Sequence, residues 1–292
     1  MMSRFVVVTD STSNLGPELA DEYGVSIIPL NVHWGEETYL DGVTLDVETF
    51  YRWLRERDDF PKTSQPSAGA FIDFFEKVAE ERGVDTIMGI FISTEMSGTL
   101  VSALQAKAEL ESTRPDLTIV LHDSRSVSMG LGLQALVAAR AANEGLTVEE
   151  AMARIRACYD NLHVVFAVDT LEFLHRGGRI GGAARLVGSA LNLKPVLTIE
   201  DGRIEPLERV RSRRKSLRRI IQIAEERLQG RRPTELAIMQ AEAEEDLPWF
   251  SRMVSDRLKP ERLYTEMLTP VVGTHAGPGT IGIAFYTLDG DG

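Results

Sequence analysis

The chain has 292 residues, 43% of them apolar and 26% charged, with 12 prolines; this excludes a disordered or fibrous protein and leaves room for two cores of about 150 residues each. Its 44 acidic against 32 basic side chains give a net charge of −12, which opposes nonspecific contact with nucleic-acid phosphates. Cys158 is the single cysteine, so no internal disulfide forms; no run approaches the ~20 apolar residues of a membrane helix, the first apolar run is too short for a signal-peptide core, and a cytoplasmic location is expected.

In chain order, the β-branched runs FVVVT (5–9), VSIIPL (25–30), TIMGIFI (86–92) and LTIVLH (117–122) read as strands. Amphipathic stretches between and after them predict helices over Pro17 to Tyr23, Asp46 to Arg57, Ala68 to Arg82, Gly98 to Glu111, Val127 to Glu144 and Thr147 to Tyr159. Gly24, Gly83 and Gly145 stand just past periodic segments as stop signals. Such alternation predicts a parallel sheet covered by helices on both faces.

From about residue 162 the pattern changes. HVVFAVD leads through a Gly-rich segment to two strand-like runs joined by Asp201-Gly202, a hairpin signal. Then follow a helix from about Ser212 to Leu228, a strand near Glu235 to Gln240, a helix near Glu244 to Leu258 and strands around Tyr264 to Met267 and Ile281 to Tyr286. The expected fold is α/β in two domains: a parallel-sheet α/β/α domain over 1–162 and a mixed-sheet α/β domain over 163–292.

Ligands in open parallel sheets sit beyond the carboxyl ends of the strands. Those positions are rich in hydroxyls: Thr9 to Ser13, Ser93-Thr94, Ser97-Gly98-Thr99 and Asp123-Ser124, with Thr63 to Ser67 before the helix at Ala68. Each cluster alone has an ordinary explanation as a helix N-cap. Together on one edge they describe a site for a small anionic head group, a carboxylate or a phosphate.

Nucleotide signatures fail on context. Gly130-Leu131-Gly132-Leu133-Gln134-Ala135 matches G-x-G-x-x-A but lies inside a predicted helix, Gly277, Gly279 and Gly282 precede a strand, and no Walker-type P-loop occurs. His33, His122, His163, His175 and His275 lack metal-site spacing, so no metal site is expected; Asp289 to Gly292 is only the start of a calcium loop and reads as a frayed tail. No G-x-S-x-G elbow occurs either.

Two Gly-rich segments remain in the second half. Leu171 to Gly182 ends one short helix and opens another whose face, Ala183, Ala184, Gly188, Ser189 and Ala190, suits close packing or a narrow apolar channel. Gly273 to Thr280 reads as a loop that presents His275.

Taken together, Thr9-Asp10-Ser11-Thr12, Thr63-Ser64-Gln65-Pro66-Ser67, Ser93-Thr94 with Ser97-Gly98-Thr99, Asp123-Ser124, Leu174 to Gly182 with its Arg-Gly-Gly-Arg, Leu193-Lys194-Pro195 and His275 to Gly279 resemble the DegV family nearly end to end. The resemblance implies a long-chain fatty acid held between two domains, with no further cofactor. Its carboxylate would meet Thr63 and Ser93 or Thr94, with Ser97, Gly98 and His275 close by; Ser64, Arg176, Gly273 and Thr274 are further candidate pocket residues. It also implies a binding subunit that presents the acid to a separate ATP-dependent kinase subunit for acyl phosphate formation, with no turnover of its own.

Arg209 to Arg219 places seven cationic side chains in eleven residues, a local inversion of the global charge. Arg209, Arg211, Arg213 and Arg214 are candidates for docking an acidic partner or, transiently, an anionic membrane surface. Two competing functions are a stand-alone acyl hydrolase or transferase using Ser93 and His275, and a lipid-responsive regulator.

Overall fold

The structure is a computed structural model describing residues 5–187 and 193–288. In chain order its first half contains β1 (Phe5–Asp10), α1 (Pro17–Tyr23), β2 (Ser26–Ile28), β3 (Asn31–Trp34), β4 (Glu37–Leu40), α2 (Val47–Glu56), β5 (Lys62–Ser64), α3 (Ala68–Arg82), β6 (Thr86–Phe91), α4 (Thr99–Thr113), β7 (Thr118–Asp123), α5 (Met129–Asn143) and α6 (Val148–Asp160). The second half adds β8 (His163–Ala167), α7 (Glu172–Arg176), β9 (Val196–Glu200), β10 (Arg203–Glu208), α8 (Arg213–Leu228), β11 (Glu235–Gln240), α9 (Leu247–Leu258), β12 (Arg262–Met267), α10 (Pro270–Ala276) and β13 (Ile281–Tyr286).

The N-terminal domain is built on the all-parallel sheet β2-β1-β6-β7. Its central strands are buried on both faces, as their unbroken apolar runs require. The C-terminal domain holds the mixed sheet β10-β9-β8-β13-β11-β12, in which β11 and β12 alone run parallel. Helices α3 and α4 cover the outer face of the first sheet, and α8 and α9 that of the second. Between the two sheets lies α5, apolar on every side and therefore buried on nearly every side. One continuous core runs from β1 and β6 through α5 to β8, β11 and β13.

Local signals act where the sequence places them. Gly24 and Gly83 close α1 and α3 in the left-handed conformation. Asp201 and Gly202, with φ of 49° and 79°, make the tight turn of the β9–β10 hairpin.

Three features depart from expectation. A small antiparallel sheet, β4-β3-β5, inserts between β2 and α3, so the Thr63-Ser64 segment is strand and not merely a helix approach. The segment expected to be a loop around His275 is instead the short helix α10, started by Pro270 at its first turn. The segment Gly181–Leu186 is a 3-10 turn; Gly188, Ser189 and Ala190 of the expected small face, and the Asp289 to Gly292 tail, lie outside the described residues.

Candidate functional site

At the carboxyl ends of β1 and β6, between the two sheets, lies a cavity with about 880 Å³ of atom-free space, mouth included. Its walls are mainly apolar: Leu30 and Ile92 from the first half, Val164, Phe166 and Met239 from the six-stranded sheet, and Val271 from α10. Gly282 sits opposite both Phe166 and Met239 on neighbouring strands, and a Cβ on it would come within 2.4 Å of the Phe166 Cβ, so this row tolerates no added side chain.

Polar groups gather at one end. Thr63, Ser64, Gln65, Ser97, Arg179 and His275 all line the cavity. Thr63 Oγ1 lies 2.8 Å from His275 Nε2, while His275 Nδ1 is buried without a hydrogen-bond partner among the described residues. Burial, with Arg179 nearby, pushes the His275 ring down to about 4, so it is neutral at pH 7. A bare nitrogen lone pair tolerates burial better than an orphaned N–H. The proton therefore belongs on Nε2, which donates to Thr63 and leaves the Thr63 O–H free for a ligand.

Helix α10 is anchored from a distance. Its N-cap Thr269 makes no side-chain cap, and the Val271 N–H donates instead to Asp41 Oδ1, 3.3 Å away just past β4. The Thr269 hydroxyl donates to the Ser11 carbonyl at 3.4 Å, and Asp41 Oδ2 is buried without a hydrogen-bond partner among the described residues. Burial pushes its carboxyl up to about 7 and that of Asp10 up to about 6. Asp10 accepts from the Thr12 hydroxyl and from the backbone N–H of Thr12 and of Ile92, so it ties the ends of β1 and β6 together at the cavity wall.

Of the residues expected at the site, Thr63, Ser64, Ser97 and His275 converge on the lining, and others are engaged elsewhere. The buried Ser93 hydroxyl donates to the Gly202 carbonyl at the hairpin tip, 2.9 Å away, and the Thr94 hydroxyl donates to Asp123 at 2.6 Å. In this arrangement neither hydroxyl faces the cavity. Nor does Ser93 pair with His275, as a hydrolase would require; the histidine is spent on Thr63.

Gly98 acts indirectly, because a Cβ there would lie 2.8 Å from Gln65 Nε2. Gly273 is where α10 meets α2, with Tyr51 Oη 2.5 Å from any added Cβ, and the buried Thr274 hydroxyl donates back to the Pro270 carbonyl. Arg176 stacks on Phe60, 4.1 Å from the ring centroid, and pairs with Glu172. Arg179, the other arginine of that motif, is the one that reaches the cavity. Exposed at the mouth, it donates through Nε to the Met96 carbonyl at 3.1 Å.

The basic segment is partly committed to structure. Arg213 pairs with Asp246 at 2.8 Å, Arg214 lies 3.8 Å from the Trp249 ring centroid and Arg219 pairs with Glu208, whereas Arg209 and Arg211 stand exposed. Among the described residues no three His, Cys, Asp or Glu side chains group to hold a metal ion, and no helix is long and apolar enough to cross a membrane.

The model of the DegV family matches residues 4–288. A DegV domain-containing protein of Streptomyces coelicolor is 35% identical over 97% of this chain and 98% of its own length. Among solved structures, a DegV family protein from Thermus thermophilus, described as binding fatty acid, superposes with a TM-score of 0.89 at 33% identity, covering 98% of this chain and all of that one (100%). A stearic-acid-binding protein from Eubacterium ventriosum superposes equally well, with a TM-score of 0.89 at 29% identity, covering 97% and 98% of the two chains.

Proposed function

The chain belongs to the DegV family, and from that membership we propose that it binds one long-chain fatty acid in the cavity between its two sheets, with the carboxylate at the Thr63 end. The observation that carries this reading is the Thr63 hydroxyl, freed for donation by the neutral His275 in a mainly apolar cavity. Each buried methylene contributes roughly 0.8 kcal/mol, which is enough to draw an acyl chain from water. Arg179 adds a cation at the mouth, where the carboxylate would lie. Ser97 and Gln65 complete that end. Ser93 would reach the ligand only by releasing Gly202.

In this reading the protein is a binding subunit. It holds the carboxylate for a separate ATP-dependent kinase subunit that forms the acyl phosphate, and the exposed Arg209 and Arg211, with Lys215 and Arg218 on α8, are the part of the basic segment free to meet that partner. The sequence supports such a division, since it carries no P-loop of its own.

Mass spectrometry of an organic extract of the purified protein tests the reading. A stoichiometric fatty acid, depleted in Thr63→Ala, is the expected result. A folded wild type free of lipid that also fails to take up added stearate would refute it.

A further inference from the structure

The ring that meets Thr63 is carried by a helix too short to fix its own place. α10 has seven residues, and most of its peptide groups lack a partner within it, so contacts from outside decide where it lies. Its two faces are distinct. Val271, Val272, His275 and Ala276 line the cavity, at the i, i+1, i+4, i+5 spacing of one helix face. Pro270, Gly273 and Thr274 form the opposite face; all three are buried, and Gly273 abuts Phe50 and Tyr51 of α2.

Two groups from the segment between β3 and β5 hold the start of this helix. Tyr51 Oη donates to the Leu268 carbonyl, 3.1 Å away and two residues before α10. Asp41 Oδ1 accepts from the Val271 N–H in the first turn. Tyr51 is 1% exposed and Asp41 2%, so losing either bond leaves a buried group unpaired. Thr63 itself is set by the same segment, through its pairing with Val32 across β3 and β5. The inserted segment therefore carries one member of the Thr63–His275 pair and grips the helix that carries the other.

We propose that Asp41 and Tyr51 are positioning residues for the head-group site, setting where α10 lies and so keeping His275 against Thr63; the idea rests on the reading of the cavity as a fatty-acid site. Neither residue lines the cavity. Sequence order hides their role, since they lie 230 and 217 residues from the groups they hold.

The experiment measures stearate affinity at pH ~6, thermal midpoint and the NMR titration of the His275 ring for wild type, Asp41→Ala, Asp41→Asn, Tyr51→Phe, Thr63→Ala and Phe250→Leu. At that pH the buried Asp41 carboxyl is mostly protonated, and asparagine mimics it closely. Asp41→Ala and Tyr51→Phe are expected to weaken binding roughly three- to tenfold. Both should raise the His275 titration from about 4 toward 6.5, as the ring leaves its buried seat. Asp41→Asn keeps an acceptor for the Val271 N–H and should resemble wild type in both readouts. Phe250→Leu, in the outer core of the second sheet, should lower the thermal midpoint and move neither. Tyr51→Phe removes one oxygen and keeps the ring, so it carries the test should Asp41→Ala not fold. An unchanged His275 titration in Tyr51→Phe, no rescue by Asp41→Asn, or an equal loss of affinity in Phe250→Leu would overturn the proposal, while weakened binding by Thr63→Ala leaves the fatty-acid reading standing. Wild type that binds no stearate, or Thr63→Ala that binds it as well as wild type, would remove both.

Discussion

The His275 ring occupies the space that a side chain at position 177 would need: a Cβ on Gly177 would lie 2.1 Å from His275 Nδ1. The backbone at Gly177 is ordinary right-handed helix, with φ of −75°, so the glycine is required by the neighbouring ring and not by its own conformation. Gly177→Ala is therefore expected to push the imidazole off Thr63. Overpacking of this kind costs about 1–3 kcal/mol. Thermal melts and stearate titration of this variant should show both properties falling. Gly178→Ala, where no neighbour lies within 4 Å of the added Cβ but φ is 71°, should also melt lower through backbone strain while leaving the ring in place, so stearate affinity is what separates the two variants.

If Thr63 donates to the ligand, its methyl is dispensable and its hydroxyl is not. Thr63→Ser should bind stearate close to wild type, and Thr63→Val, of nearly the same shape, should bind roughly tenfold more weakly, as for the loss of a hydrogen bond to a carboxylate. Isothermal titration of the two variants separates hydrogen bonding from packing. Equal affinities would show that the hydroxyl makes no bond to the ligand.

The buried carboxyls give stability a pH dependence of definite sign. Asp41 is pushed from 3.8 to about 7 in the fold, so the folded chain holds a proton that the unfolded chain has released between these values. Its contribution is present below pH ~4 and is lost as pH rises through about 7. Asp10 acts in the same direction up to about 6. His275 acts oppositely: its folded value is lowered from 6.5 to about 4, and its contribution is lost only as pH falls through that range. Glu266, pushed by burial from 4.5 to about 7, acts in the same direction over the same window, so above about pH 6.5 Asp41 and Glu266 both contribute. Wild type should melt lower at about pH 8 than at about pH 6.5, and Asp41→Asn should show a smaller drop; an equal drop in both would contradict the assignment.

The basic segment divides into structural and free arginines. Arg213 is less than a quarter exposed and bridges α8 to Asp246 at the start of α9, so Arg213→Ala should cost about 1 kcal/mol of stability. Arg209 and Arg211 stand in solvent, and reversing both to Glu should leave the thermal midpoint unchanged. In pull-downs with an ATP-dependent partner, the Arg209→Glu/Arg211→Glu variant should lose association in a salt-sensitive way. Retained association at low salt would place the partner elsewhere.

Much of the fold is legible before any coordinates. The buried strands of the parallel sheet announce themselves as apolar runs, their helices by 3.6-residue periodicity and left-handed glycine stops, and the hairpin by Asp201-Gly202. The small sheet is harder to read because its strands are three or four residues long, and β4 is largely exposed, so its side chains carry little of the alternation that marks a strand. Helix α10 has seven residues, two of them glycine and proline, and resembles a turn when only composition is weighed.

By itself the sequence determined the two-sheet α/β architecture and the segments that meet at the site, because periodicity, caps and turn residues act over a few neighbours. The tertiary structure decided which residues in those segments line the cavity. Thr63 meets His275 only because α10 brings the ring within 2.8 Å of it from 212 residues away. Ser93 was withdrawn because the hairpin tip places the Gly202 carbonyl against its hydroxyl. Of the two arginines in Arg-Gly-Gly-Arg, Phe60 took Arg176 and the cavity took Arg179. Hydrogen bonds act over about 3 Å, and at that range the partner is chosen by packing between distant elements, which local sequence does not encode.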